Sequence, residues 1–402
     1  MRILYIARFL DDAGSFFVLK GLFHELRARG DVVELLDLHQ ERMEKRGAAA
    51  DGQPAAGMDA ASDAKPERPG LLRRIRKYLY TLSPGLKVFF LDGVRTLRPQ
   101  LRAIEAFRPD LIVSRGNWTT VLLARFKKIA VLAHWDGLFE AEEKYGNKSF
   151  VDKRLILPVW RRIVIGNSNH FAVVSEAVRD AHLRFGRPSE DFTVLQNGVD
   201  VEVFRPDVPC HALARSLEGR IVVGFVGSFQ RFHRIDEFLA LLPDFRREHP
   251  SVVFVFVGSG VGWSKAASMA QDPAYASQVV FTGVIPHAEV PSAIACFDVG
   301  IIPFTAYSCS PLKMYEYMAM GKATVAPAYP PIAAVIDDGR DGLLFPPDDM
   351  QAMRAAIVRL VEDAELRESM GRRARDKMVR QFTWKHCADR FRAACEKALA
   401  QR

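Results

Sequence analysis

Lys313 and Glu316 stand three residues apart, behind Ser310-Pro311 and ahead of Gly321. That order spells a short helix, with a serine suited to the N-cap, a proline at the first helical position and a glycine at C′. The start of such a helix, through Leu312, presents unpaired backbone N–H groups and the positive end of a dipole, which suits a phosphate. Lys313, in the first turn, opposes that dipole, and an anionic ligand reconciles the two. Glu316 falls roughly 4–5 Å further along the axis at 1.5 Å per residue. A carboxylate there accepts two hydrogen bonds from a ribose diol while a diphosphate rests at the helix tip. The plainer alternative is an ordinary capped surface helix.

The segments around this helix must hold it in place. Residues 299–303 are a short apolar run ending in proline, and residues 323–326 are another. Strand, loop, helix and strand make an α/β unit whose ligand crevice lies at the carboxyl ends of the strands. The same rhythm runs through the chain. Strands are expected at 2–7, 32–36, 111–113, 130–133, 171–174 and 192–195, then at 221–226, 252–257, 279–281, 299–302, 324–326 and 342–345. Near-continuous apolar strands separated by helices imply parallel sheets covered on both faces. Two doubly wound α/β domains follow, joined near 201–217, where Pro206 and Pro209 break regular structure.

At 402 residues the chain is long for a single core. Its composition, 49% hydrophobic and 26% charged, is that of a soluble globular protein. No run approaches the length of a membrane-crossing helix, and the apolar start at 2–7 is too short for a signal-peptide core. Five cysteines without CxxC spacing read as reduced thiols, with neither a zinc site nor a disulfide framework. The net charge of +8 is unevenly spread, with eight Lys/Arg against Asp92 alone between 71 and 103. Anionic substrate, anionic membrane and nucleic acid are the partners such charge invites. No nucleic-acid motif accompanies it, so nucleic acid is set aside. Residues 47–70, rich in Ala, Gly, Pro and Asp, read as a disordered insertion. A basic amphipathic helix near 71–80 follows, suited either to an anionic membrane or to packing on the domain with a solvated basic face.

Five segments, in order, resemble the retaining nucleotide-sugar glycosyltransferases of family 4, which have the two-domain GT-B fold. Residues 310–322 resemble the family's donor-binding helix, and Asn197-Gly198-Val199-Asp200 its interdomain signature. Residues 223–229 resemble the first strand and phosphate loop of the donor domain. Residues 281–287, through Val284, resemble the segment lining the nucleobase, and residues 336–347 the turn and strand beyond it. The resemblance covers about residues 1–40 and 104–400. It implies an N-terminal acceptor-side domain over 1–203, a donor domain over 204–382, and a helix over 383–402 that crosses back to the first domain.

Roles follow residue by residue. Glu316 matches the glutamate that binds the nucleotide ribose. The family's first glutamate, which binds donor-sugar hydroxyls, is replaced by Ser308. Its phosphate-loop arginine is replaced by Ser228, after Gly227, and the lysine that follows by His233. Arg231, His233, Arg234 and Lys313 remain as cations to neutralise a leaving diphosphate, arginine with the better bidentate geometry. Solvated surface positions are the alternative for Arg231 and Arg234. Gly14 and Ser15 match the small residues that approach the donor phosphates, Ser15 as a helix cap. His134, ending a strand at the expected cleft, matches the histidine that contacts the donor sugar. Asp136 steadies it, accepts from the acceptor hydroxyl, or merely starts a turn, while Glu140, Glu142 and Glu143 read as a solvated face.

The reading is a cytoplasmic enzyme, peripheral on the inner face of the plasma membrane. It would transfer a sugar from a nucleotide-diphosphate sugar to a lipid-linked or saccharide hydroxyl with retention, without metal or other cofactor. A nucleotide-sugar epimerase of the same fold and a non-catalytic sugar-nucleotide-binding partner protein are the alternatives. The absence of GxGxxG after the first strand counts against a dinucleotide oxidoreductase.

Overall fold

The computed structural model describes residues 1–7, 13–38, 92–135, 150–211, 217–260, 268 and 278–402. The insertion 47–70, the basic segment 71–80, Asp136, Glu140, Glu142 and Glu143 lie outside the described residues. Two parallel six-stranded sheets organise the rest. The first contains β1 Arg2–Ala7, β2 Val32–Asp37, β3 Leu111–Ser114, β4 Ala130–Trp135, β5 His170–Val173 and β6 Phe192–Val194, in the order β2-β1-β3-β4-β5-β6. The second contains β7 Ile221–Val226, β8 Val252–Val257, β9 Val279–Gly283, β10 Val299–Ile301, β11 Ala323–Pro327 and β12 Leu343–Phe345, in the order β12-β11-β10-β7-β8-β9. The expected α/β class is found, and each expected strand is present, three with the expected bounds and the rest shifted by a residue or two.

Both sheets are covered on both faces, as unbroken apolar strands require. Around the first sheet lie α1 Ala13–Ala28, α2 Leu97–Phe107, α3 Trp118–Phe126, α4 Leu157–Asn167 (entered through a π-helical turn, Asp152–Ile156) and α5 Glu176–Leu183. Around the second lie α6 Leu242–Glu248, α7 Val290–Ala295, α8 Leu312–Ala319, α9 Met350–Glu362 and α10 Ala364–Gln381. Successive strand residues alternate between the layers. Ile3 and Tyr5 of β1 share a core with α1, while Leu4 and Ile6 share one with α2, α3 and α4.

The last helix, α11 Trp384–Ala400, returns to the first sheet. Its Cys387, Phe391, Ala394 and Ala398 share the core of Ile3, Tyr5 and Leu132. A Cβ on Gly21 of α1 would stand 2.5 Å from the Trp384 ring, so the bare glycine backbone is the seat of that indole.

The chain crosses between the halves twice, and the crossings lie side by side. Val199 N–H donates to the Phe382 carbonyl at 2.8 Å, and a Cβ on Gly198 would come within 2.9 Å of the Thr383 backbone. Asn197 Nδ2 donates to the Ser310 carbonyl at 2.9 Å, tying this crossing to the loop before α8. The Asp200 carboxylate accepts from the N–H groups of Glu202 and Val203, a local turn that redirects the chain. Arg375 of α10 then donates to the carbonyls of Val201, Phe204 and Ala319. The Asn-Gly-Val-Asp run thus has a separate structural reason at each position.

One expectation is corrected in this region. Cys210 and Cys296 are joined by a disulfide, with Cα atoms 5.1 Å apart, where five reduced thiols were expected. The linker passes over the end of α7, with His211 N–H donating to the Ser292 carbonyl at 2.9 Å, and so brings the two cysteines together. Cys309, Cys387 and Cys395 are free thiols. Among the described residues no helix is long and apolar enough to cross a membrane.

Candidate active site

In the second sheet β7 and β10 are neighbours whose onward connections run to opposite edges: β7 leads to β8 and β9, β10 to β11 and β12. Such a switch point opens a crevice at the carboxyl ends of the strands. The loop leaving β7 contains Gly227, and the segment leaving β10 leads to α8.

Gly227 has φ +142°, a backbone conformation favouring glycine, and its N–H donates to the Val257 carbonyl at 2.9 Å. A Cβ on Gly258 would lie 2.1 Å from the Gly227 carbonyl oxygen, so the loops after β7 and β8 nest only as glycines. Across the crevice, a Cβ on Gly227 would meet Cε and Nζ of Lys313 at 2.9 Å. Gly227 and Lys313 are therefore in direct apposition.

Helix α8 starts one residue later than expected. Pro311 holds the cap position, and no side chain caps this end. Ser310, expected as the N-cap, instead shares a 2.9 Å hydrogen bond with the hydroxyl of Tyr315, a buried tyrosine that needs a polar partner. The N–H groups of the first turn, beginning at Leu312, therefore have no side-chain cap. At the far end Gly321 has φ +67°. Its N–H donates to the Met318 carbonyl and that of Lys322 to the Tyr317 carbonyl, the paired bonds of a Schellman stop.

Lys313 folds back over the Phe225 ring, with Nζ 4.7 Å from its centroid, and reaches His233 Nε2 at 3.3 Å. His233 is buried and lies 2.8 Å from the Phe304 carbonyl through Nδ1, which must donate there. Nε2 is then the acceptor that faces the lysine. Burial, then the neighbouring Lys313 charge, hold the imidazole pKa well below its usual value, so the ring is neutral. His233 thus steers Lys313. Burial brings the Lys313 pKa down to about 8 and raises that of Glu316 to about 7, with each softening the other's shift. Two oppositely charged groups poised near neutrality at a crevice are what an anionic, hydroxylated ligand would find there.

The other predicted residues are placed unequally. Arg234, in the left-handed region at φ +46°, stacks over Phe304 and is engaged by Glu237 and Asp348, so its fork is already occupied. Arg231 opens a 3-10 turn; its side chain lies outside the described residues. Ser228 is exposed on the loop, Val284 is 75% exposed beyond β9, and Ser308 is buried ahead of α8. Gly14 and Ser15 fall in the first turn of α1, which begins at Ala13, so Ser15 lies inside the helix and not at its cap.

His134 lies in the first domain, near the carboxyl end of β4. It is buried, 2.6 Å from the Tyr5 hydroxyl through Nδ1 and edge-on to Phe391 of α11. Burial, reinforced by Arg115, brings its pKa down to about 3, and burial raises that of Tyr5. Both groups of the pair are therefore neutral, and the hydrogen bond between them fixes the orientation of the imidazole.

Two residues of this arrangement lay outside the sequence reading. Tyr317, on α8, accepts the Val226 N–H at 2.7 Å and so fixes the end of β7 just before Gly227. Phe225 is the platform for Lys313. The available signal was a tyrosine on an apolar helix face, whose hydroxyl must find a partner. An open pocket of about 650 Å³ lies elsewhere, bordered by Arg125, Lys128, Asn169 and Arg187. It sits at the amino ends of β4 and β5, the opposite end from a sheet's ligand crevice. Among the described residues no group of three or more His, Cys, Asp or Glu is placed to hold a metal ion.

Comparison with known proteins adds an independent line. A family model described as Glycosyltransferase Family 4 matches residues 15–203, and one described as Glycosyl transferases group 1 matches residues 220–363. An uncharacterized glycosyltransferase of Methanocaldococcus jannaschii is 20% identical over 305 residues, 72% of this chain and 76% of that one. A GDP-mannose-dependent alpha-(1-6)-phosphatidylinositol monomannoside mannosyltransferase of Mycolicibacterium smegmatis is 28% identical over 242 residues, 57% of this chain and 63% of that one. Among solved structures, Anabaena HepE in complex with UDP superposes with a TM-score of 0.70 at 16% identity, over 98% of this chain and 99% of that one.

Proposed function

The chain belongs to the group 1, family 4 glycosyltransferases, and on that footing we propose that it moves a sugar from a nucleoside-diphosphate sugar to a hydroxyl acceptor with retained anomeric configuration. The observation that carries this reading is the apposition of Lys313 and the uncapped start of α8 with Gly227, at the switch point between β7 and β10. The diphosphate would lie along that start, and the Glu316 carboxylate, one turn further in, would accept from the ribose diol. The UDP in the HepE complex and the GDP-mannose of the mycobacterial relative's name support a nucleotide-sugar donor.

Lys313 and the first-turn N–H groups would then stabilise the departing diphosphate, which is where negative charge develops. This protein cation would serve in place of a metal ion. His134, neutral and oriented by Tyr5, would face the donor sugar from the other domain, and the attack would come from the face the diphosphate leaves. Closure of the two domains would exclude water from the transfer. The acceptor would be lipid-linked or a saccharide, in polysaccharide or glycolipid synthesis, on a cytoplasmic enzyme peripheral to the membrane. In a reducing compartment Cys210 and Cys296 would be neighbouring thiols.

The test has two stages. A thermal-shift screen of nucleotide sugars should pick out one donor, since a ligand bound to the folded state raises apparent stability. Proton NMR of the first product formed from it should then show the anomeric configuration of the donor. Inversion at that carbon would refute retention, and an epimerised nucleotide sugar formed without acceptor would replace the transferase reading.

A further inference from the structure

The outer face of α3 and α4 is unusual for a soluble surface. Half of the large apolar side chains exposed among the described residues lie on these two helices, the turn that enters α4 and the two residues before that turn. Phe126 is 88% exposed, Phe150 75% and Leu155 59%, joined by Leu122, Val151 and Val159. Val151, Leu155 and Val159 recur every four residues, which aligns them as a stripe on one side of the helix. The inward sides of the same helices, through Val121, Ala124, Trp160 and Val164, fill the core under the sheet. Among the described residues the stripe is therefore surplus to the core.

Among the described residues its charge is mostly positive, with Glu105 paired to Lys127 at one end. Lys153, Arg154 and Arg162 flank the stripe, and Arg125 and Lys128 stand beside Phe126. None of these five has a carboxylate partner among the described residues. Asp152, the single acid between Phe150 and Asn167, is fully buried. Exposed apolar side chains interleaved with unpaired cations form a surface that sinks into an acyl boundary while its cations meet anionic headgroups. A second copy of the same face would bring like charges together, which disfavours self-association.

Direction supports the same partner. Helix α4 follows β4 and leads to β5, so in this parallel sheet it runs from the carboxyl ends of the strands to their amino ends. Phe150, Val151 and Leu155 are thus at the carboxyl end of the first sheet, the end that holds His134, while Phe126, Arg125 and Lys128 close the other end of the face, at the amino ends of the strands.

We propose that this face of α3 and α4 is a docking surface for an anionic lipid bilayer, presenting the acceptor side of the cleft to the membrane. The inference deepens the reading above and rests on it only for the purpose of the docking. Vesicles of phosphatidylcholine with about one third phosphatidylglycerol are the probe, set against phosphatidylcholine alone, with the full chain in co-sedimentation. The full chain should bind the anionic vesicles far better. Changing Lys153, Arg154 and Arg162 together to Gln should weaken binding roughly a hundredfold, about fivefold for each cation. Changing Phe126, Leu155 and Val159 together to Ser should weaken it at least about tenfold with the charge untouched. As a measurement on a minimally altered chain, L155W should shift its emission to the blue when anionic vesicles are added.

Transfer to a water-soluble acceptor should survive in every variant, so failure of docking and failure of the transferase reading are separable. Equal binding to both vesicle types would overturn the proposal. So would indifference to both sets of changes, an unmoved L155W emission, or release caused only by changing Arg73, Arg74, Arg76 and Lys77. A change in the protein's own solution mass on altering the apolar set would make the face a self-association surface.

Discussion

At the residue scale, burial holds Lys313 and Glu316 near neutrality. Lys313, with its pKa brought down to about 8, loses its charge as the pH rises through that value. Glu316, raised to about 7, loses its charge as the pH falls through that one. Donor affinity should therefore be greatest between about pH 7 and 8 and fall on both sides. Calorimetric Kd values across that range check it, and a flat profile would remove both residues from the donor site. The same shift makes Glu316 a liability to the empty protein. Its folded pKa exceeds the usual carboxylate value, so above pH 7 it is ionised in both states and its burial penalty is fully present. Glu316→Gln should thus stabilise the ligand-free protein by about 1–3 kcal/mol at pH 8, read as a higher urea midpoint. No gain, or a loss, would mean that the carboxylate has favourable partners in the empty site.

His134 makes a different prediction. His134→Ala should lower turnover far more than it lowers affinity for the free nucleoside diphosphate, because the ring would face the sugar. Equal losses in both would make it a structural partner of Tyr5. The closeness of Lys313 and Glu316 was legible because helical spacing fixes their separation whatever surrounds them. The difference between His233 and Arg234 was not. Arg234 is occupied by Asp348, 114 residues further on, and no local pattern announces that partner.

At the element scale the central strands were legible because they are buried on both faces and so read as unbroken apolar runs, while β2, at the sheet edge, exposes Val32 and Glu34. Their order in the sheets was not, since pairing is non-local, and the crevice between β7 and β10 exists only through that order. The start of α8 was misplaced by one residue because Ser310 answers to Tyr315 and not to the helix backbone. Tyr317 links α8 to β7, and Tyr317→Phe would leave the buried Val226 N–H without its partner. A cost of about 1–3 kcal/mol in stability is expected, along with weaker donor binding as the end of β7 loosens before Gly227. Unchanged Kd with the expected loss of stability would show that the tyrosine supports the fold alone. Gly300→Ala reaches the same contact from below, since the added Cβ would stand 2.5 Å from the Tyr317 ring.

At the scale of the whole molecule, the chain's two crossings and the return of α11 bind the halves into one protein. The crossing sequence at Asn197–Asp200 was recognisable, but the reason for its glycine was not, because the Thr383 backbone that excludes a side chain is far off in the sequence. Gly21→Ala should test the other anchor. Its Cβ would collide with the Trp384 ring, costing about 1–3 kcal/mol, with donor affinity preserved because the crevice lies in the other domain. A stability unchanged in urea would mean that α11 docks without that contact.

The central claim is that the donor occupies the crevice where α8 meets the loop after β7. Isothermal titration of the selected nucleotide sugar into the protein and into folded Glu316→Gln tests it most directly. Donor affinity should be weaker by about 1.5–3 kcal/mol in the variant, roughly a 10- to 150-fold rise in Kd. An unchanged Kd would contradict it and place the donor elsewhere.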